Sequence, residues 1–134
     1  MYSNILIPIA PDHGDMSEAL EIARAVAAEG AKLTALTVVD ALPEYVASYL
    51  PEGQMTKTRD AVLDRLRSDM TDASDVNPVV LSGHSYSTIL EYAGKHDIDC
   101  IVITSHRPGL QDYLLGSTAA RVVRHAQCAV HVVR

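Results

Sequence analysis

A chain of 134 residues with 48% hydrophobic and 21% charged residues has the length and composition of an ordinary globular domain. Its formal net charge of −6 argues against a nucleic-acid-binding protein, which usually carries a basic face. No apolar run approaches the roughly 20 residues that a membrane span requires, and the amino terminus lacks the basic and apolar regions of a signal peptide. We therefore expect one cytoplasmic domain over residues 1–134 that does not insert into membranes.

The first predicted elements are a buried strand and an amphipathic helix. The continuous apolar run of residues 5–9 is typical of a strand that is buried on both faces. Pro8 should end or bend this strand, because proline donates no ladder hydrogen bond. A loop then leads to a helix that Asp15 or Ser17 can cap, and Gly30 is the expected stop of this helix.

The middle of the chain continues the same alternation. Residues 33–39 predict the second strand, and the apolar spacing between the two prolines of residues 40–53 favours a short helix. An amphipathic helix is expected over residues 55–70, and a short third strand over 79–81. Ser85 can cap the helix that follows.

The last elements complete an α/β pattern. Residues 100–103 predict a fourth strand, residues 114–125 a helix and residues 129–133 a fifth strand. Strands that alternate with helices predict a parallel sheet with helices on both faces. Right-handed crossovers leave the five-stranded doubly wound, Rossmann-like sheet of order 3-2-1-4-5 as the simplest topology. A ligand site is expected beyond the carboxyl ends of its strands, where the winding direction reverses.

The segment of residues 104–118 follows the predicted fourth strand and suits phosphate binding. Gly116 and Ser117 stand where a helix can start, with Ser117 as the candidate N-cap. Free N–H groups at a helix start bind phosphate without positive side chains, and Arg107 could clamp phosphate oxygens. Taken alone, this pattern also fits an ordinary helix cap, so both interpretations stay open here.

This segment resembles the universal stress proteins, whose ATP-binding members carry the pattern Gly-x2-Gly-x9-Gly-(Ser/Thr) before an amphipathic helix and a valine-rich last strand. The pair Gly116-Ser117 fits the end of that pattern. The stretches from Ser105 to the carboxyl terminus are closely similar to the F/G-type branch of the family, and the resemblance to the family covers the whole chain. The most similar stretches are Ile5-Leu6-Ile7-Pro8, Thr37-Val38-Val39-Asp40, Ser105-His106-Arg107-Pro108, Tyr113-Leu114-Leu115-Gly116-Ser117, Val122-Val123-Arg124-His125-Ala126 and Val130-His131-Val132-Val133-Arg134.

The resemblance implies an ATP site, with Mg2+ accompanying the nucleotide. Val38 would offer its backbone to the adenine, Thr104 would lie near the ribose, and residues 116–118 would hold the phosphates. Arg107 stands at the second glycine of the motif, and Ile103 would line the site. The complete set of cofactor-binding residues expected from the resemblance is Pro8, Ala10, Asp12, Val38, Ile103, Thr104, Ser105, Arg107, Gly116, Ser117 and Thr118.

The chain departs from the family pattern at several of these residues. Thr104 and Arg107 replace glycines, and Ser85 replaces a common proline. Ala10 stands where the family usually has an aspartate that contacts the nucleotide, and a methyl group cannot form hydrogen bonds. Losing one polar contact costs about 1–3 kcal/mol, or up to roughly a hundredfold in affinity. Asp12 is the candidate that could replace the missing carboxylate.

No resident metal site or disulfide is expected. The histidines show no metal-ligand spacing. Asp12 and Asp15 could hold Mg2+ together with bound phosphates, although loop aspartates are more typically caps and turn formers. Cys100 and Cys128 form no CxxC motif, which is typical of two buried reduced thiols.

Three functions are compatible with these residues. The first is an ATP-binding regulatory or sensor module of the stress response. The second is a slow ATPase or self-phosphorylating protein with Ser117 as the modified residue, but no general base or water-positioning residue can be identified, so no catalytic residue is assigned. The third is a nucleotide-free dimeric interaction module, which Ala10 favours.

The valine-rich last strand predicts a homodimer. An exposed edge strand at residues 130–133 would be an aggregation hazard, and pairing with the same strand of a second copy would cover it. Dimerisation through the final strand is also what the resemblance implies.

Overall fold

The computed structural model describes residues 1–12, 14–105 and 115–134. Strands and helices alternate along these residues, except that two helices lie between the second and third strands. The strands are β1 (Tyr2–Pro8), β2 (Ala27–Val39), β3 (Val76–Ser82), β4 (Cys100–Thr104) and β5 (Ala129–Val133). The helices are α1 (Ser17–Val26), α2 (Glu44–Ala47), α3 (Gln54–Asp69), α4 (Ser85–Lys95) and α5 (Ser117–His125).

The five strands form one parallel sheet in the order β3-β2-β1-β4-β5, which confirms the predicted fold class and strand order. The central strand β1 pairs with β2 on one side and with β4 on the other. The winding direction therefore reverses between β1 and β4. Helix α1, which follows β1, packs on one face of the sheet, whereas α5, which follows β4, packs on the other face. This arrangement leaves a crevice between the carboxyl ends of β1 and β4.

Helices cover both faces of the sheet and form two hydrophobic layers. Ile5 and Ile7 of β1 belong to the layer under α1 and α3, whereas Leu6 belongs to the layer under α4 and α5. These three side chains are 0% exposed. The continuous apolar run of β1 is thus explained, because a central parallel strand is covered on both faces. β1 ends at Pro8, as its missing N–H predicts.

The boundary between α1 and β2 differs from the expectation. The helix ends at Val26 rather than at Gly30, and the chain enters β2 directly at Ala27. Tyr2 pairs with Ala27 and Asn4 with Lys32, so β2 carries extra residues in a bulge at this point. Gly30 has a φ of 74° inside the bulge, where glycine adopts a positive φ without steric cost. Gly30 therefore permits the bulge in the pairing of β2 with β1 and does not cap a helix.

The third strand is longer than the expected residues 79–81. β3 covers Val76–Ser82 and includes Pro78, which pairs with Ala35 of β2. Proline is tolerated here because β3 lies at the edge of the sheet, where one side of the strand has no ladder. None of the helices in the described ranges has the length and apolar character needed to cross a membrane.

Candidate functional site

The end of β1 brings the first group of predicted site residues to the sheet edge. Pro8 is buried and pairs with Leu36 of β2, and the N–H of Ile9 donates to the Leu36 carbonyl at 2.8 Å. Ala10 and Asp12 follow immediately and are both exposed. The position that the resemblance assigns to a nucleotide-contacting aspartate is therefore a surface methyl group just beyond the strand.

The ends of β2 and β4 supply the second group. Val38 and Ile103 are 6% and 4% exposed and pack in the hydrophobic layer under α4 and α5. Thr104 is exposed at the end of β4, and Ser105 directly after it is buried. The N–H of Ser105 donates to the carbonyl of Val133 at 2.7 Å, which extends the pairing of β4 with β5 by one residue.

The start of α5 returns to this same edge. The N–H of Gly116 donates to the carbonyl of Ser105, so the beginning of the helix is tied to the end of β4. Gly116 is the N-cap, and its carbonyl accepts the first helical hydrogen bond from the N–H of Ala120 at 2.9 Å. Ser117 is the first helical residue, so its assignment as the N-cap was wrong.

This geometry places three backbone donors near the carboxyl end of β4. The N–H groups of Ser117, Thr118 and Ala119 precede the first helical hydrogen bond and have no acceptor inside the helix. They lie at the positive end of the helix dipole, where an anion is stabilised. Arg107 lies outside the described residues, so its role as a phosphate clamp stays a prediction. The helix expected over residues 114–125 begins only at Ser117, because residues 115 and 116 are not helical.

A side-chain contact joins the starts of α4 and α5. The hydroxyl oxygens of Ser85 and Thr118 lie 2.9 Å apart. Ser85 was expected to cap α4, but His84 is the N-cap and Ser85 is the first helical residue. The pair could not be found from the sequence, because its members are separated by 33 residues and belong to different helices.

The acidic residues at this edge do not form a metal site by themselves. Among the described residues, no group of three or more His, Cys, Asp or Glu side chains could hold a metal ion. The Asp15 carboxylate accepts a hydrogen bond from the Ser17 N–H at 2.9 Å, and this backbone contact lowers the pKa of Asp15. Asp15 therefore satisfies a donor at the start of α1. Met16 is the N-cap, however, so the assignment of the N-cap to Asp15 or Ser17 was wrong.

A cleft of about 210 Å³ lies close to Ala10, between β2, α3 and the loop after β1. Its walls are mainly apolar, and the Arg65 guanidinium donates to the Pro11 carbonyl at 3.5 Å. Sequence reasoning did not detect this cleft, because its residues come from three separate elements. The lining residues are Pro11, Thr37, Ala61, Val62, Arg65 and Leu66.

The strand order and the helices on both faces define a Rossmann-like α/β protein, in which a helix begins beside the topological switch point at the carboxyl ends of the strands. The family model described as "Universal stress protein family" matches residues 1–134, and the chain belongs to this family. Universal stress protein A homolog 2 of Coxiella burnetii is 32% identical over 141 residues, covering 99% of this chain and 95% of that protein. Universal stress protein G of Salmonella typhimurium is 40% identical over 63 residues, or 47% of this chain and 44% of that protein.

Solved structures show the same architecture. Universal stress protein UspA from Lactobacillus plantarum is 33% identical with a TM-score of 0.69, covering 99% of this chain and 98% of that chain. Hypothetical protein MJ0577 has a TM-score of 0.79 at 23% identity, with coverages of 99% and 96%. A universal stress protein in complex with cAMP has a TM-score of 0.69 at 23% identity, with coverages of 99% and 97%. At 23% identity, the last two comparisons bear on the fold.

Proposed function

We propose that this protein binds an adenine nucleotide, and specifically ATP, and serves as a cytoplasmic regulatory or sensor module in the stress response. The observation that carries the proposal is the start of α5. Its N–H groups at Ser117, Thr118 and Ala119 have no acceptor inside the helix, and the helix start is tied to the end of β4, one of the two strands between which the winding direction reverses. Such donors bind phosphate oxygens at the topological switch point of a doubly wound sheet.

The family relationship supports an adenine nucleotide as the ligand. One solved protein of this fold is a universal stress protein in complex with cAMP, which contains adenine, ribose and phosphate. The resemblance to the F/G-type branch favours ATP, and the similarity to universal stress protein G agrees with that branch.

In the proposed complex, each part of the nucleotide meets a different element. The backbone of Val38 at the end of β2 would contact adenine, Thr104 at the end of β4 would contact ribose, and the start of α5 would hold the phosphates. Ser105 would act indirectly, because its carbonyl accepts the Gly116 N–H and its own N–H is bonded to β5. Mg2+ would enter with the phosphates.

Calorimetry on the nucleotide-stripped protein, with and without Mg2+, tests this proposal. We expect ATP to bind with a micromolar or tighter Kd. Gly116→Val should weaken binding at least about tenfold, because a side chain would enter the space above the N–H groups. Gly116 has φ −62° and ψ 153°, a conformation that valine also adopts, so the variant should fold.

Gly94→Val is the matched control for this experiment. Gly94 lies in α4, and a Cβ at this position would meet no other atom within 4 Å. The control should bind ATP like the wild type. An ATP affinity that Gly116→Val leaves unchanged would remove the proposed site, and wild-type protein without ATP binding would contradict the proposed function.

Ala10 favours a second candidate, the nucleotide-free interaction module. Its methyl group lies at the surface beyond β1 and offers no hydrogen bond where the resemblance places a carboxylate. Ala10→Asp should restore this contact and tighten ATP binding about tenfold or more. ATP binding by Ala10→Asp but not by the wild type would identify the natural chain as a nucleotide-free member of the family.

A catalytic role is a separate question from binding. Ser117 is exposed at the start of α5, where a bound phosphate chain would be close. Slow hydrolysis or self-phosphorylation would be supported if Ser117→Ala abolished turnover in folded protein that still binds ATP. Turnover that persists in this variant would exclude Ser117 as the modified residue.

We also propose a homodimer formed through β5. The sheet has two edge strands, β3 and β5. Pro78 has no backbone N–H, so it interrupts the row of backbone donors along β3. In contrast, β5 (Ala129–Val133) contains no proline and carries Val130 and Val132. An edge with an unbroken set of backbone donors and acceptors is the one suited to pairing with a second copy.

A further inference from the structure

Two side-chain contacts hold the beginning of α4 against the beginning of α5. Ser85 and Thr118 are both partly buried, and their hydroxyl oxygens are 2.9 Å apart. One turn along α5, the Arg121 guanidinium lies over the Tyr86 ring, 4.8 Å from its centroid. The start of α5 is therefore attached to α4 as well as to β4.

We propose that Ser85 is a positioning residue for the nucleotide phosphates, acting through the hydroxyl of Thr118. This inference rests on the proposed function and extends it to a residue outside the glycine motif. Ser85 donates its proton to Thr118 Oγ1, and this leaves the proton of Thr118 available for a phosphate oxygen.

The direction of the hydrogen bond follows from the number of protons. Each hydroxyl has one proton to donate, so only one member of the Ser85–Thr118 pair can donate to the other. A phosphate oxygen only accepts hydrogen bonds. If Thr118 donated to Ser85, it would present lone pairs to the phosphate and repel it. A bound phosphate therefore selects the arrangement in which Ser85 donates to Thr118 and Thr118 donates to the phosphate. In such a chain, each hydrogen bond polarises and strengthens the next one.

The turn before α4 fixes Ser85 in place for this task. The N–H of Gly83 donates to the Val39 carbonyl at 3.0 Å, which ties the turn to the end of β2. The N–H of Thr88 donates to the His84 carbonyl at 2.9 Å and closes the first turn of the helix. The Ser85 hydroxyl is consequently held by β2 and α4, independently of the chain between β4 and α5.

Comparing ATP with adenosine isolates the effect of Ser85 on the phosphates. Ser85→Ala should weaken ATP binding about three- to tenfold, the range expected for one hydrogen bond, and should leave adenosine binding unchanged. Ser87→Ala is the matched control, because Ser87 lies in the same first turn and its hydroxyl donates to the His84 carbonyl at 3.3 Å. This control should bind both ligands like the wild type.

A double-mutant cycle with Thr118→Val tests whether Ser85 acts through Thr118. Ser85→Ala should have no further effect on ATP affinity once the Thr118 hydroxyl is absent. Ser85→Thr, which keeps the hydroxyl, should retain the wild-type ratio of ATP to adenosine affinity. Tyr86→Leu should lower the melting temperature without changing that ratio, since it loosens the helices but leaves the hydroxyl pair intact.

The outcomes separate this inference from the proposed function. Wild-type protein that does not bind ATP would overturn both. Wild-type binding combined with an unchanged affinity ratio in Ser85→Ala would overturn only the positioning role, and so would tighter ATP binding by that variant. Additive effects of Ser85→Ala and Thr118→Val would also overturn it.

Discussion

At the scale of single residues, β2 contains a buried hydroxyl whose hydrogen bonding is not satisfied. Thr34 is 1% exposed, and its Oγ1 has no hydrogen-bond partner among the described residues. An unpaired buried hydroxyl is destabilising, and a methyl group of the same shape removes that cost. Thr34→Val should therefore raise the free energy of unfolding in urea by about 1 kcal/mol.

Thr71→Val provides the contrast for this stability prediction. Thr71 is exposed, and its hydroxyl donates to the Ser68 carbonyl at 2.6 Å, so the substitution removes a hydrogen bond that is present. We expect this variant to be neutral or slightly less stable than the wild type. A loss of stability in Thr34→Val would show that its hydroxyl is satisfied in solution.

The thiol of Cys100 should be protected from modification in the folded protein. Burial raises the pKa of Cys100 to about 11, and burial also raises the pKa of Cys128. Because the thiolate is the reactive form, Cys100 should react with a disulfide reagent at pH 8 only as fast as the protein unfolds. Cys128 is only half-buried and should react first. Rapid reaction of both thiols in native protein would contradict this prediction.

The same pKa shift has a consequence for stability at alkaline pH. An unfolded thiol ionises near pH 8.5, whereas the folded Cys100 thiol stays protonated to about pH 11. The unfolded state therefore loses a proton first, and this contribution to stability is lost as the pH rises through that interval. Cys100→Ala should show a shallower decrease in unfolding free energy between pH 8 and about 10.5 than the wild type.

At the scale of elements, the turn between β3 and α4 depends on glycine. Gly83 has a φ of 151°, and a Cβ at this position would collide with the hydroxyl of Thr88. Gly83→Ala should lower the free energy of unfolding by about 1–3 kcal/mol, and Gly83→Ala with Thr88→Ala should recover only the part due to the collision. Full recovery in the double variant would show that the backbone conformation carries no strain.

An ion pair attaches α1 to the chain segment that precedes β3. Arg24 donates two hydrogen bonds to the Asp75 carboxylate, both at 2.9 Å, and these lower the pKa of Asp75. Both side chains are more than 40% exposed, so Arg24→Gln should cost only about 0.5 kcal/mol at pH 7.

The pH dependence of this ion pair has a definite sign. Its stabilisation is complete above the ordinary carboxyl pKa of about 3.9 and disappears as the pH falls through the lower folded pKa. The difference in unfolding free energy between wild type and Arg24→Gln should therefore vanish once the pH is below the folded pKa of Asp75. A difference that persists in strong acid would assign the effect of Arg24 to packing.

Element order could be predicted from the sequence, whereas element boundaries and cross-chain contacts could not. Apolar runs and helical stripes are local signals, and they gave the correct strand order through the handedness of crossovers. Gly30 was misinterpreted because pairing of β2 with β1 overrides its value as a helix stop. The Ser85–Thr118 pair has no local signal, because it depends on how two helices pack.

At the scale of the whole molecule, the proposed dimer formed through β5 can be tested by removing one backbone N–H of this strand. The Val133 carbonyl accepts a hydrogen bond from Ser105, so it faces inward, and the hydrogen-bonding groups of the preceding Val132 face outward. Val132→Pro removes an outward N–H, and we expect it to convert a dimer into a monomer in light scattering. His131→Pro should instead lower stability, because the His131 N–H faces β4. A monomeric wild type would contradict the dimer.

Pro78 determines how many copies such pairing can join. A sheet with two open edges could add copies at both ends, and growth would continue into a fibre. In the proposed dimer, pairing β5 with β5 of a second copy would leave only the two β3 edges of the sheet open, and Pro78 would weaken each of them as a site for further addition. One proline at the far edge of the sheet thus favours a closed pair over an open-ended polymer.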